Sequence, residues 1–131
     1  EKALRVRESP LRGAGLSAAK FAAVRDLATK IRSGEVEVHD LDEQPDEEII
    51  QRLVTVRGIG VWTAQMYLIF RLHRPDVWPI GDLGVRAGYA KAHALDEYPT
   101  AKELEPLGDA YSPWRSAAAW YCYRVLDTEL P

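Results

Sequence analysis

Asp82 lies within Val77-Trp78-Pro79-Ile80-Gly81-Asp82-Leu83-Gly84-Val85-Arg86, where an extended run passes into a segment of helical periodicity. A carboxylate in that place can cap the helix by accepting a hydrogen bond from a first-turn amide. It can also work as an anion, because the positive end of a helix favours the charged form. An ionised carboxylate stabilises a cation developing on a sugar, and it can orient or deprotonate an attacking water. The two roles are compatible.

Twenty positions before Asp82 stands Trp62, in the stretch Leu53-Val54-Thr55-Val56-Arg57-Gly58-Ile59-Gly60-Val61-Trp62-Thr63-Ala64. Two helices joined by Gly58-Ile59-Gly60 make a tight turn. Glycine there permits positive φ and close backbone approach, and Ile59 can plug the gap between the helices. The amides of Gly60, Val61 and Trp62 would open the second helix and face outward, which suits an anion. A DNA phosphate fits such a site without any base being read. The same pattern also serves as a plain turn between two antiparallel helices.

Aromatics crowd these segments: Trp62, Trp78, Trp114, Trp120, Tyr121 and Tyr123. Their faces attract a cationic ring at about 0.5–2 kcal/mol each, and they equally suit a core. Trp62 is taken as facing a pocket, with Met66 one turn on either lining it or filling space. Trp114 and Trp120 are assigned to the core, as is Cys122. Arg115 and Ser116 are candidates for phosphate contact from an exposed helix face, with a salt bridge as the other reading of Arg115.

The elements that position these residues are helical almost throughout. Ser17 is an N-cap, followed by Phe21, Val24, Leu27 and Ile31 at three- and four-residue steps, and Gly34 closes the helix. Pro45-Asp46 starts a second helix with Ile49, Ile50, Leu53 and Val54 as its stripe. Val61–Leu72 is the third, broken at Arg74-Pro75. The hairpin as a whole spans 46–72. Further helices run from Leu83 to about His93, from a Thr100/Glu103 capping box, and from Trp114 to about Leu126 with Pro113 at the first turn. No period-two alternation is present, so an all-α helical bundle is predicted, with residues 1–131 as a single catalytic region.

The chain has 131 residues, a net charge of −3 and one cysteine. A single Cys122 rules out an internal disulfide, a cysteine-ligated iron–sulfur cluster and a zinc finger, which need about four ligands. His39, His73 and His93 show no ligand spacing, so no catalytic metal is expected. No apolar run approaches the ~20 residues that span a bilayer, so no membrane partner is expected. The negative charge is concentrated: eight acids and no Lys or Arg lie between Glu35 and Glu48, leaving a balance of +5 elsewhere. A polyanion can meet that basic remainder while the acidic segment points away, or the segment is a solvated loop.

Three blocks in order resemble the helix-hairpin-helix DNA glycosylases of the alkylpurine (3-methyladenine type II) branch: the Gly58–Gly60 hairpin, the Asp82 segment, and Ser112-Pro113-Trp114-Arg115-Ser116-Ala117-Ala118 followed by Trp120-Tyr121-Cys122-Tyr123. Gly15-Leu16-Ser17 with Lys20 also matches, and the resemblance covers roughly Leu11 to Leu126. It implies an all-α chain forming part of a larger two-lobed glycosylase fold. The implied activity is a base-excision repair enzyme that flips an alkylated purine out of double-stranded DNA and hydrolyses its N-glycosidic bond, with Asp82 as catalytic residue. The resemblance places Tyr123 at a pocket aromatic, which with Trp62 and Met66 makes up the candidate substrate-binding set. Gly58, Ile59, Gly60 and Val61 become the phosphate contact, and the carbonyls of Val54, Val56 and Ile59 the seat of a structural Na⁺ or K⁺. No other cofactor is required. A monomer is implied, in the bacterial cytoplasm at the nucleoid or in a eukaryotic nucleus.

Two departures stand out. A helical segment with a Gln-Gln-Leu-Ser-like stretch, which usually precedes the matched region and supplies part of the DNA wedge, has no counterpart in residues 1–16, so the chain is expected to be a fragment. Trp62 occupies the position of the Schiff-base lysine of bifunctional members, which excludes an imine there. A non-enzymatic helix-hairpin-helix DNA-binding module is the alternative, and Asp82 argues against it, since a binding module needs no carboxylate at that point.

Overall fold

In the computed structural model, Leu4, residues 7–39 and residues 41–127 are described; Asp40, one of the acidic run, lies outside them. Among the described residues the chain is helical with no strand. It forms two compact units, Glu1–Ala64 and Gln65–Pro131.

The first unit begins with a short helix, α1 (Glu8–Gly13), which no cap or stripe announced. Helix α2 (Ala18–Ser33) starts as expected: the Ser17 hydroxyl accepts the Lys20 N–H at 3.2 Å, and left-handed Gly34 (φ 78) ends it. Its buried residue is Phe21, whereas Val24 and Ile31 of the proposed stripe are exposed. The acidic connection carries exposed acids but buries Val36 and Leu41, the latter in a single 3₁₀ turn, Leu41–Glu43. Helix α3 (Asp46–Val54) follows and buries Ile49 and Leu53.

Helix α4 (Val61–Phe70) contains the boundary between the units and ends two residues before the expected Leu72. The reason is local. His73 takes a left-handed φ of 55°, and the Arg74 N–H turns back to the Leu68 carbonyl at 3.0 Å, closing the helix before Pro75 has to be accommodated.

The second unit is built on the packing of α5 (Leu83–Ala92) against α7 (Arg115–Leu126), with α6 (Ala101–Leu107) between them in sequence. Thr100 and Glu103 form the expected capping box. The core comprises Trp78, Val85, Tyr89, Leu104, Ala119 and Cys122. Burial pushes the Cys122 thiol up to about 11, so near neutral pH it is an inert apolar side chain. Two expectations for α7 are corrected. The helix begins at Arg115 and not Trp114, leaving Pro113 outside its first turn, because the Arg115 and Ser116 N–H groups are bound by Asp76 Oδ1 and the Pro75 carbonyl. Trp114 and Trp120 are also not core: they are 64% and 46% exposed. Three-residue steps from Ser116 select Ala119 and Cys122, which turns Trp120 outward under the Arg124 guanidinium.

Helices α5 and α7 come close because Gly88 has no side chain. A Cβ there would stand 2.0 Å from the Cys122 carbonyl oxygen, a backbone atom that cannot swing aside. Gly88→Ala is therefore expected to cost at least about 2 kcal/mol by overpacking. That lowers the melting temperature by about 7 °C or more, as read by thermal denaturation.

Candidate functional site

Asp82 ends the extended segment and caps α5, and the residue is 7% exposed. The Val85 N–H donates to Oδ1 at 3.0 Å, which is the capping bond expected from sequence. The Tyr123 hydroxyl donates to Oδ2 at 2.8 Å, which was not expected. Tyr123 also lies 3.8 Å from the Met66 sulfur. A hydroxyl has one proton, and a carboxylate is the stronger acceptor, so the proton goes to Asp82. Burial, then the Asp82 hydrogen bond, raise the Tyr123 pKa well above that of free tyrosine, so it remains a donor throughout the useful pH range.

Gly84 makes this contact possible. An added Cβ would meet Tyr123 ring carbons at 2.9 and 3.0 Å and Asp82 Oδ1 at 3.1 Å. Both carboxylate oxygens are thus held in direction, Oδ1 by the Val85 N–H and Oδ2 by the Tyr123 hydroxyl. Asp82, Tyr123 and Met66, read from three separate segments, converge in the second unit.

Arg115 and Ser116 do different work from that expected. Arg115 takes the salt-bridge reading: Nε and Nη2 reach Asp76 Oδ1 and Oδ2 at 2.7 and 2.8 Å, a two-pronged pair. Ser116 is corrected from an exposed phosphate contact to a buried residue. Its hydroxyl donates to the Arg74 carbonyl at 2.6 Å and accepts the Val77 N–H at 2.9 Å. Together they stitch residues 74–77, the strip leading to Asp82, onto the start of α7. Nothing in the sequence pattern marks Asp76 for this role.

The turn residues Gly58, Ile59, Gly60, Val61 and Trp62 lie in the first unit. Gly58 takes the left-handed φ of 80° that the turn requires, and the Val56 carbonyl accepts the Ile59 N–H at 3.0 Å. Gly60 is not left-handed, and a Cβ built on it meets nothing within 4 Å, so the chain's own packing does not call for glycine there. Its carbonyl accepts the Ala64 N–H as the first bond of α4, which leaves the N–H groups of the first turn outside the helical ladder. Val61 and Trp62 are half-exposed, at 53% and 52%.

A separate apolar hollow of about 420 Å³ in the second unit is walled by Trp78, Tyr89, Tyr111, Trp114, Tyr121 and Cys122, and does not include Asp82. Among the described residues, no group of three or more His, Cys, Asp or Glu could hold a metal ion, and no helix is long and apolar enough to cross a membrane.

No family profile matches the chain. DNA-3-methyladenine glycosylase 1 of Schizosaccharomyces pombe is 38% identical over 116 residues, covering 88% of this chain and 51% of that protein. DNA-3-methyladenine glycosylase of Saccharomyces cerevisiae is 40% identical over 144 residues, covering 87% of this chain and 48% of the relative. The chain thus spans about half the length of these curated relatives. Among solved structures, the S. pombe 3-methyladenine DNA glycosylase in complex with abasic DNA superposes with a TM-score of 0.90 at 34% identity, covering 97% of this chain and 62% of that one.

The Arg115–Asp76 pair carries a pH signature. The Arg115 guanidinium beside Asp76 holds its carboxyl at about 2, below the ordinary 3.8. A carboxyl depressed in the folded state stabilises above its unfolded pKa, and that contribution fades as pH falls from about 4 to 2. The stability gap between wild type and Asp76→Asn in urea unfolding is expected to be constant above about pH 5 and to shrink progressively below about pH 4.

Proposed function

This chain belongs to the helix-hairpin-helix (HhH-GPD) DNA glycosylase superfamily, and we propose that it is the catalytic region of a monofunctional DNA N-glycosylase acting on alkylated purines such as 3-methyladenine. The observation that carries the reading is the buried Asp82 carboxylate, held at the start of α5 by the Val85 N–H and the Tyr123 hydroxyl. A capping residue alone has no use for a second donor from another helix. An anion that must keep one orientation while positive charge grows beside it does.

The damaged base leaves the duplex stack, since its glycosidic bond is out of reach within the helix. As the base departs, the sugar gains positive charge, and the negative charge of Asp82 stabilises it. The same carboxylate orients the water that attacks the sugar carbon and takes its proton. Ordinary glycosidases use a second carboxyl to protonate the leaving group. An alkylated purine already carries positive charge and leaves without that help, so one carboxylate suffices. The Tyr123 ring, beside Met66, is assigned to the base pocket, where an aromatic face favours a cationic ring.

The hairpin is assigned to backbone phosphate. The open space at Gly60 and the first-turn amides of α4 support this. A structural Na⁺ or K⁺ also fits: the Val54, Val56 and Ile59 carbonyls would hold it, and three neutral oxygens with no carboxylate among residues 54–61 suit a monovalent ion better than a divalent one. When bound, such an ion would add positive charge at the hairpin to favour an anion. The protein is taken to act as a monomer on double-stranded DNA holding damaged bases, in the bacterial cytoplasm or the nucleus.

Asp82→Asn keeps the capping oxygen and removes the charge. Single-turnover release of base from alkylated DNA is expected to fall at least about 100-fold, while DNA affinity holds or rises. Near-normal excision by this variant would remove Asp82 from the chemistry. With Trp62 in place of the imine-forming lysine, borohydride should trap no covalent protein–DNA complex, and strand breaks should appear only after added alkali. A trapped complex would reveal a lyase amine elsewhere.

A further inference from the structure

Three residues of α2 face the hairpin at Thr55–Gly58. Ala23, Asp26 and Lys30 are spaced three and four apart, so they share one face of the helix. Opposite Ala23, a Cβ on Gly58 would lie 3.2 Å from the alanine Cβ, so small residues on both sides permit the approach. The Arg57 N–H donates to Asp26 Oδ2 at 2.7 Å. The Lys30 ammonium donates to the Thr55 carbonyl, and Asp26 and Glu35 balance its charge at 3.5 and 3.3 Å. Lys30 is only 19% exposed, which is low for a lysine. The Arg57 amide, more than any other neighbour, lowers the Asp26 pKa, so the acceptor is an anion at neutral pH.

The polar backbone groups on either side of Val56 are therefore held from outside the hairpin. Thr55 ends α3 and has a carbonyl with no helical partner, while the amide of Arg57 lies beyond the ladder. An α2 carboxylate and an α2 ammonium supply both missing partners.

We infer that Asp26 and Lys30 are positioning residues for phosphate binding: gripping the turn at Arg57 N–H and Thr55 C=O, they set the direction of the Gly58–Val61 backbone that meets DNA. The inference rests on the hairpin being the phosphate site. Neither side chain touches the phosphate. Losing either one lets the turn rotate, and the amides then miss their oxygen.

The test reads binding to abasic-site duplexes of several sequences by fluorescence anisotropy, and base release from alkylated duplexes of the same sequences under single-turnover, saturating-protein conditions. Asp26→Ala and Lys30→Met are each expected to weaken binding to every duplex by about tenfold, equivalent to one charge-assisted hydrogen bond. The saturated rate should stay within about twofold, because Asp82 is not disturbed. Asp26→Asn should bind like wild type, since its amide oxygen still accepts the Arg57 N–H. A lowered melting temperature with unchanged affinity would reduce the clamp to a purely structural contact and overturn the inference. Should Asp26→Ala fail to fold, Lys30→Met beside Asp26→Asn decides: weak binding by the first and normal binding by the second support the clamp, and normal binding by both overturns it. Gly60→Asp, which puts a carboxylate where the phosphate is assigned, separates the two levels. If it too leaves affinity unchanged, the phosphate assignment fails. If it weakens binding while the α2 variants do not, only the clamp fails.

Discussion

The arrangement of the second unit follows from one backbone contact. At Gly88, helix α5 lies against the Cys122 peptide of α7 with no side chain between them. Two helices that meet this closely leave little freedom in how the next residues oppose each other. Cys122 is followed by Tyr123, and one turn before Gly88 comes Gly84, whose missing Cβ opens the space that the Tyr123 ring fills. The phenol then reaches Asp82 at the head of α5. A glycine pair thus converts a helix packing into a hydrogen bond on a carboxylate, and any side chain at Gly88 would push the two partners apart.

The polar groups around the Asp82 segment show the same economy. Residues 74–77 lack helical partners, and α7 supplies them: Ser116 takes the Arg74 carbonyl and the Val77 amide, its own amide goes to the Pro75 carbonyl, and Arg115 grips Asp76. Trp78 follows, with its indole N–H on the Leu104 carbonyl at 2.9 Å. An extended strip is expensive to bury unless its backbone groups are satisfied. Here α7 meets the Arg74 and Pro75 carbonyls and the Val77 amide, which fixes the strip that delivers Asp82.

In the first unit the constraint is the reverse. The hairpin turn has tight glycine geometry and exposed residues at Gly58, Gly60 and Val61, and it is gripped from behind by α2. The face of α2 that does so is polar and small, Ala23 with Asp26 and Lys30. That accounts for the exposure of Val24 and Ile31: the helix is rotated to present its charged face to the turn, and its apolar stripe is only partly used.

Much of this was legible in the sequence because it is local. Ser17, Asp82 and Thr100 cap helices by accepting an amide three residues on, and Gly34 and Gly58 take φ values that few other residues adopt. Helix starts, the hairpin and the capping role of Asp82 follow from neighbours along the chain. What the tertiary structure decided involves residues far apart: Tyr123 is 41 positions from Asp82, Arg57 is 31 from Asp26, and Arg115 is 39 from Asp76. Spacing along one chain carries no signal for such pairs. Each depends on how a helix is rotated about its axis, which is set by where a missing Cβ lets two backbones meet. For that reason Ser116 turned inward and Trp120 outward, against the reading of either residue by type.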